Sequence, residues 1–182
     1  MPVLDILTGT AFSGWQALND RIMGGQSSGS CQVGPHGLLF EGMLIAEGGG
    51  FVSCRSPLFS PPLDLSAYEG LELEMDGEGR SFKLALASAD ALSGLTELIP
   101  GGLRWVMEFA TPVERSSTVR IPFTSLRPSV RAKPVPLPRR FDSSRLSRIQ
   151  LLHSRFGDDG APNLGFRAGA IRFELKAIRA YG

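Results

Sequence analysis

Glycine and proline recur so often along this chain that an α-helix of ordinary length has almost nowhere to form. The 182 residues include 22 glycines and 13 prolines, scattered throughout, and in a helix interior these cost about 1 and about 3 kcal/mol relative to alanine. Between the breaks, apolar residues alternate. Leu71, Leu73 and Met75 share one parity, as do Phe82, Leu84 and Leu86, then Val119, Ile121 and Phe123, and later Ile171, Phe173 and Leu175. A period of two places such residues on one face of a strand. Leu39 to Ile45, Phe51 to Arg55, Leu103 to Phe109 and Leu146 to Leu152 bring the set to about eight strand candidates separated by turn-rich segments. That pattern predicts an all-β fold, a two-sheet sandwich or jelly roll, in a single domain over residues 1–182. Ile178 breaks the parity of the last run, which predicts a bulge near Lys176 and Ala177. Helix is expected only as a turn or two near Trp15 to Ile22 or in Ala89 to Leu98.

Lys plus Arg number 19 and Asp plus Glu 18, a net charge of +1, so the chain has no global attraction to nucleic acid or anionic lipid. Any electrostatic recognition is local. The two cysteines, Cys31 and Cys54, are too few for a disulfide scaffold and lack the spacing of a zinc site, and they read as buried thiols with a bridge left open. No stretch approaches the roughly 18 apolar residues of a membrane helix, and the first residues lack the pattern of a secretion signal. The expectation is a soluble cytoplasmic protein, peripheral to a membrane only through a partner.

Catalytic chemistry has few candidates. His36 sits in a Gly-Pro-His-Gly turn and reads as a solvated side chain; His153 ends a strand and reads as structural. No nucleophile elbow, zinc helix, Cys pair or phosphate loop is present. Asp158, Asp159 and Asn163 in FGDDGAPN lack the spacing and the terminal glutamate of a calcium loop, so this segment reads as a turn. The chain is expected to be no enzyme, with no cofactor and no metal.

Two glycine clusters carry more information. Met23-Gly24-Gly25 follows Asn19-Asp20, and Gly48-Gly49-Gly50 precedes Phe51; glycine permits the positive φ and close approach that a tight corner or a ligand demands. One reading makes Trp15, Asn19, Asp20, Met23, Gly24, Gly25 and Ser27, with Arg55, Asp76 and Arg80, a partner-contacting surface. The other makes Trp15 and Met23 plugs of the sandwich end, Asp20 a turn cap, and Arg55 and Arg80 partners of acidic neighbours. Both are open on the sequence alone. Two long connections, 88–102 and 124–145, add to the picture. The second holds Arg127, Arg131, Lys133, Arg139 and Arg140 with no acid before Asp142. It has no interleaved aromatic for base stacking, so Arg131, Arg139 and Arg140 are read as contacts for an acidic protein surface rather than for nucleic acid.

The segment Trp15-Gln-Ala-Leu-Asn19-Asp20-Arg-Ile-Met23-Gly24-Gly25-Gln-Ser27-Ser28 resembles the opening signature of the complex I intermediate-associated protein thirty family. In order along the chain, Gly37 to Gly42, Gly49-Gly50-Phe51-Val-Ser53-Cys-Arg55, Leu63 to Leu71, Asp76 to Lys83, Ile121-Pro122-Phe123 with Arg131, and Gly165 to Ala180 are similar to the family pattern. Phe82 stands where the family often has Tyr, Ala132 where Gly is usual, and Asp76-Gly77-Glu78-Gly79 shifts the acidic residue. The compact length looks like the stand-alone bacterial or cyanobacterial version. The resemblance implies a galactose-binding-like jelly roll. It also implies a role as an assembly factor or chaperone-like binder for protein subunits of a membrane-associated electron-transfer complex, NADH dehydrogenase-like or photosynthetic. The alternative is a carbohydrate-binding module, for which Trp15, Tyr68 and Tyr181 are the candidate platforms and Trp105 is expected in the core; fold likeness alone does not carry sugar binding over.

Overall fold

The computed structural model describes residues 3–89, 102–113 and 115–182, and the side chains of Ile22 and Met23 fall outside that description. The described strands are β1 (Val3–Thr8), β2 (Gln16–Ala17), β3 (Ser28–Gly34), β4 (Gly37–Leu44), β5 (Phe51–Arg55), β6 (Gly70–Asp76), β7 (Ser81–Ser88), β8 (Leu103–Ala110), β9 (Ser117–Pro122), β10 (Arg127–Val130), β11 (Lys133–Pro134), β12 (Leu146–Ser154) and β13 (Gly169–Tyr181). They form two antiparallel sheets. The first has the order β3-β4-β13-β6-β9, with β1 also on β13, and the second runs β11-β10-β8-β7-β12-β5-β2.

Every stretch read as a strand from alternation lies in one, with ends shifted by a residue or two. Among the described residues the helical content is short 3-10 turns, one of them Asp20–Met23; the expected turn at Ala89 to Leu98 lies outside the described residues from position 90 onward, as does most of the 88–102 connection. The second long connection is corrected: 124–145 contains the β10–β11 hairpin, which adds to the edge of the second sheet. Pro134 belongs to this outermost strand, where a missing N–H breaks no ladder.

β13 shows how pattern becomes packing. Ile171, Phe173 and Leu175 face inward. Then Lys176 enters as an extra residue, the register passing from Leu175 opposite Met75 to Ala177 opposite Glu74. The bulge returns Ile178 and Ala180 to the core side. It also divides one flank of the strand, β4 pairing with Gly169–Leu175 and β1 with Ala177–Tyr181. Phe40 stacks on Phe173 across neighbouring strands of the first sheet at 4.8 Å, and Phe82 of the second sheet meets Phe173 edge-on at 5.1 Å, joining the two sheets. Each such buried ring stabilises the fold by about 1.5–3 kcal/mol.

The strand directions bring the β2–β3, β4–β5, β6–β7 and β12–β13 links out at one end of the sandwich. This loop end holds most of the residues singled out from the sequence.

Candidate functional site

Asp20 organises the loop end. Its side chain is 0% exposed, and its carboxylate accepts four hydrogen bonds: from Ser27 N (2.9 Å), Ser27 Oγ (2.8 Å), Gly50 N (2.8 Å) and Phe51 N (3.3 Å). Ser27 Oγ in turn accepts from Ile45 N at 2.9 Å. One carboxylate therefore ties the start of β3 to the start of β5. The glycines make room for it, since a Cβ on Gly25 would stand 2.3 Å from Asp20 Cγ and one on Gly49 2.6 Å from Asp20 Cβ. Beside this corner, Asn19 Oδ1 accepts from Ser53 N at 3.4 Å, and Trp15 packs edge-on against Phe12 at 5.4 Å.

The β12–β13 connection is the second organised element. His153 is buried; its Nδ1–H donates to Ser81 O at 2.7 Å and its Nε2 accepts from Arg167 N at 3.4 Å, so the neutral ring satisfies both nitrogens. Burial pulls its pKa down from 6.5 to about 4, and the nearby Arg80 and Arg167 charges act in the same direction. Asn163, also buried, donates to Ser154 O at 2.9 Å and accepts from Gly165 N at 2.8 Å. These bonds fix a turn that leaves Leu164 99% exposed and Phe156 42% exposed. The same connection crosses the outer face of the second sheet, where Asp158 Oδ2 accepts from Glu108 N at 3.0 Å. Beneath it Lys83 is only 5% exposed. Burial pushes the Lys83 ammonium below the usual lysine range, opposed by Glu108 and Asp158, and burial pushes Glu108 above the usual carboxylate range. Asp158 and Asp159 act on backbone amides, and among the described residues no cluster of His, Cys, Asp and Glu is suited to a metal ion.

Cross-strand registers assign side chains to the two outer faces. On the first sheet, Arg120 pairs with Glu72 (2.9 Å), Arg179 with Asp5 (3.0 Å) and Glu74 (2.9 Å), and Arg172 with Glu174 and Glu78. On the second, alternation points Arg55, Lys83, Arg104, Arg127 and Arg148 outward, with Glu108 the acidic residue among them. Arg55 lies opposite Gln150 and Gln16, and Arg127 opposite Val106. Neither Arg55 nor Arg127 has an acidic side-chain partner among the described residues.

The structure separates the sequence candidates into three groups. Trp15, Asp20, Ser27 and Arg80 are buried: Asp20, Ser27 and Arg80 shape the loop end from inside, and Trp15 packs on Phe12 farther along the sandwich. Arg80 also departs from its expected acidic partner, donating instead to Ala170 O at 2.9 Å and so holding the start of β13. Asn19, Gly25 and Asp76 are half-buried and Gly24 exposed at the same end; Asp76 Oδ1 caps Glu78 N at 3.1 Å. Arg55, also half-buried, lies at the far end of β5, opposite Gln150 in the middle of β12. The backbone of Met23 ends the Asp20 turn, and its side chain lies outside the description. Arg131, Arg139 and Arg140 are exposed. Arg131 sits in the β10–β11 turn, and Arg140 lies at the opposite end of the sandwich near Tyr68 and Phe123. Sequence reasoning missed Leu164, Phe156 and the Lys83 roof. The one available signal was the apolar Leu164 and Phe166 inside a polar, glycine-rich loop.

Two antiparallel sheets and their loop ends define a jelly-roll β-sandwich of the galactose-binding-like kind, a fold it shares with several carbohydrate-binding modules. The family 11 carbohydrate-binding module of the cellulosomal cellulase Lic26A-Cel5E of Clostridium thermocellum aligns over 100% of this chain and 94% of its own, at TM-score 0.62 and 17% identity. The Clostridium thermocellum family 11 module in complex with a β-1,3-1,4-mixed-linked tetrasaccharide aligns over 99% and 95% at TM-score 0.62 and 15% identity. A family 30 carbohydrate-binding module aligns over 99% and 88% at TM-score 0.52 and 12% identity. Identities this low show a shared fold alone. The chain itself belongs to the complex I intermediate-associated protein 30 (CIA30) family, whose model matches residues 4–175. No curated protein matches the sequence.

Proposed function

We propose that residues 1–182 act as one non-catalytic protein-binding domain, an assembly factor or chaperone for a membrane-associated electron-transfer complex. It works from the cytoplasm and reaches the membrane only through its partner. Membership of the CIA30 family supports the assembly role. The observation that carries the binding mode is the charge asymmetry of the two outer faces: the first sheet pairs its arginines with carboxylates, whereas Arg55 and Arg127 on the second have none among the described residues. A surface of that kind suits an acidic protein patch, with Leu164 and Phe156 as apolar contacts at its margin. Asp20, Ser27 and Arg80 position the backbone of this region, and Arg131 extends the positive surface along the hairpin.

The carbohydrate-binding alternative needs exposed aromatic platforms. Trp15, Trp105 and Tyr181 are buried, Tyr68 is half-buried, and Arg120 lies over the Tyr181 ring at 4.4 Å. Affinity purification from cells with identification of the bound proteins, alongside calorimetric titration with a mixed-linked β-glucan tetrasaccharide, decides between the two. Subunits of an electron-transfer complex on the resin and no heat from the sugar are expected. Saturable sugar binding with no bound subunit would replace this proposal with the carbohydrate one.

A further inference from the structure

Cys31 and Cys54 are both free thiols and neither belongs to the surface described above. Cys31 lies on the edge strand β3 opposite Phe40, whose ring is in the core, so its side chain points inward while staying half-exposed. Cys54 lies on β5 between Leu151 and Ala17, fully buried in the same core. β3 and β5 belong to different sheets and come into contact at the flank of the sandwich. There the two thiols face each other closely enough that each shifts the other's ionisation.

The geometry points to a thiol-modification site in which Cys31 and Cys54 are oxidised, by a low-molecular-weight disulfide such as oxidised glutathione, to an intrachain disulfide joining the two sheets. The two sulfurs have distinct roles. Cys31 is the accessible one, and the neighbouring Cys54 thiol lowers its pKa from the ordinary thiol value, which makes it the attacking thiolate. It bonds to one sulfur of the small disulfide and expels the other as a thiolate, which takes up a proton. Cys54 is held protonated first by burial, then by the neighbouring Cys31 sulfur and its charge. Capping Cys31 removes that charge. Cys54 then loses its proton and attacks the Cys31 sulfur, and the second small thiolate leaves. Two protein thiols have been oxidised and one disulfide reduced to two thiols.

The bridge would fasten strands that a polar clamp already holds. Asp20 ties the start of β3 at Ser27 to the start of β5 at Gly50 and Phe51, and the disulfide joins the same two strands farther along. Oxidation therefore stiffens the loop end from within.

The test incubates folded protein with oxidised glutathione and reads intact mass, peptide mapping and thermal unfolding. The expected product is monomeric, lighter by two hydrogens, has a Cys31–Cys54 cross-link, melts roughly 5–10 °C higher and reverts with dithiothreitol. Amide exchange at Ser27, Gly50 and Phe51 slows. Cys54→Ala is expected to accumulate a stable glutathione adduct on Cys31, whereas Cys31→Ser takes up none on Cys54. Wild-type protein that keeps both thiols, or cross-links between chains, overturns the proposal. So does an adduct forming first on Cys54.

Discussion

Charged residues at the loop end and on the outer face of the first sheet do opposite work. At the loop end, Asp20 and Arg80 lie out of water and meet backbone atoms: N–H groups for the carboxylate, a carbonyl for the guanidinium. On the outer face, Arg120, Arg172 and Arg179 meet carboxylates beside solvent. The buried groups fix where loops go, because an unsatisfied buried amide costs about 1–3 kcal/mol. The exposed pairs are screened and contribute little to stability. What they do is cancel the charge of one face, leaving the second sheet as the side where Arg55 and Arg127 have no acidic side-chain partner among the described residues.

Substitutions that exchange the two behaviours break the comparison. Asp20→Ala strands Ser27, Gly50 and Phe51 amides together, and is expected to lower stability by about 3–5 kcal/mol in denaturant unfolding; a loss below 1 kcal/mol would mean the corner is held by something else. His153 comes next. Its folded-state pKa of about 4 lies below the ordinary 6.5, so as pH falls below 6.5 the unfolded chain takes up a proton that the folded chain refuses. Stability present at neutral pH is then lost down to pH 4, by about 3 kcal/mol from this group. Stability curves of wild type and His153→Gln should converge in slope over that window if the ring plays no part, and differ if it does. Ala132 adopts φ +63° in the β10–β11 turn, where an L side chain is strained. Ala132→Gly is expected to add about 0.5–1 kcal/mol by relieving it, measured as a higher denaturation midpoint. Glu72→Gln, between Arg120 and Arg179, is expected to cost less than about 1 kcal/mol, and a larger loss would erase the distinction between the two regions.

The sequence disclosed the fold where alternation was strong. β6, β7 and β13 show it plainly, and even the bulge at Lys176 was visible because parity broke at Ile178. It disclosed less at the edges. β3 is Ser-Gly-Ser-Cys-Gln-Val-Gly, with Cys31 and Val33 alone turned to the core, and β10 and β11 hide among prolines and arginines that suit an exposed edge. At the site, Asp20 read as a local cap. Its second set of donors lies 30 residues away at Gly50, a pairing that no local pattern announces. The roof over Lys83 was hidden for the same reason, since Asp158 and Glu108 are 50 residues apart. The departure at Ala132 from the family's glycine was legible, and the backbone angle gives it a physical meaning.

The central claim is that the second sheet's arginines dock a partner while the buried groups only shape the region. It is tested most directly by measuring partner capture by Arg55→Glu/Arg127→Glu protein at low and high salt, with its melting temperature checked against wild type. The account predicts unchanged melting and capture reduced at least tenfold, with wild-type capture weakening as salt rises. Full capture by the doubly reversed protein, indifferent to salt, would contradict it.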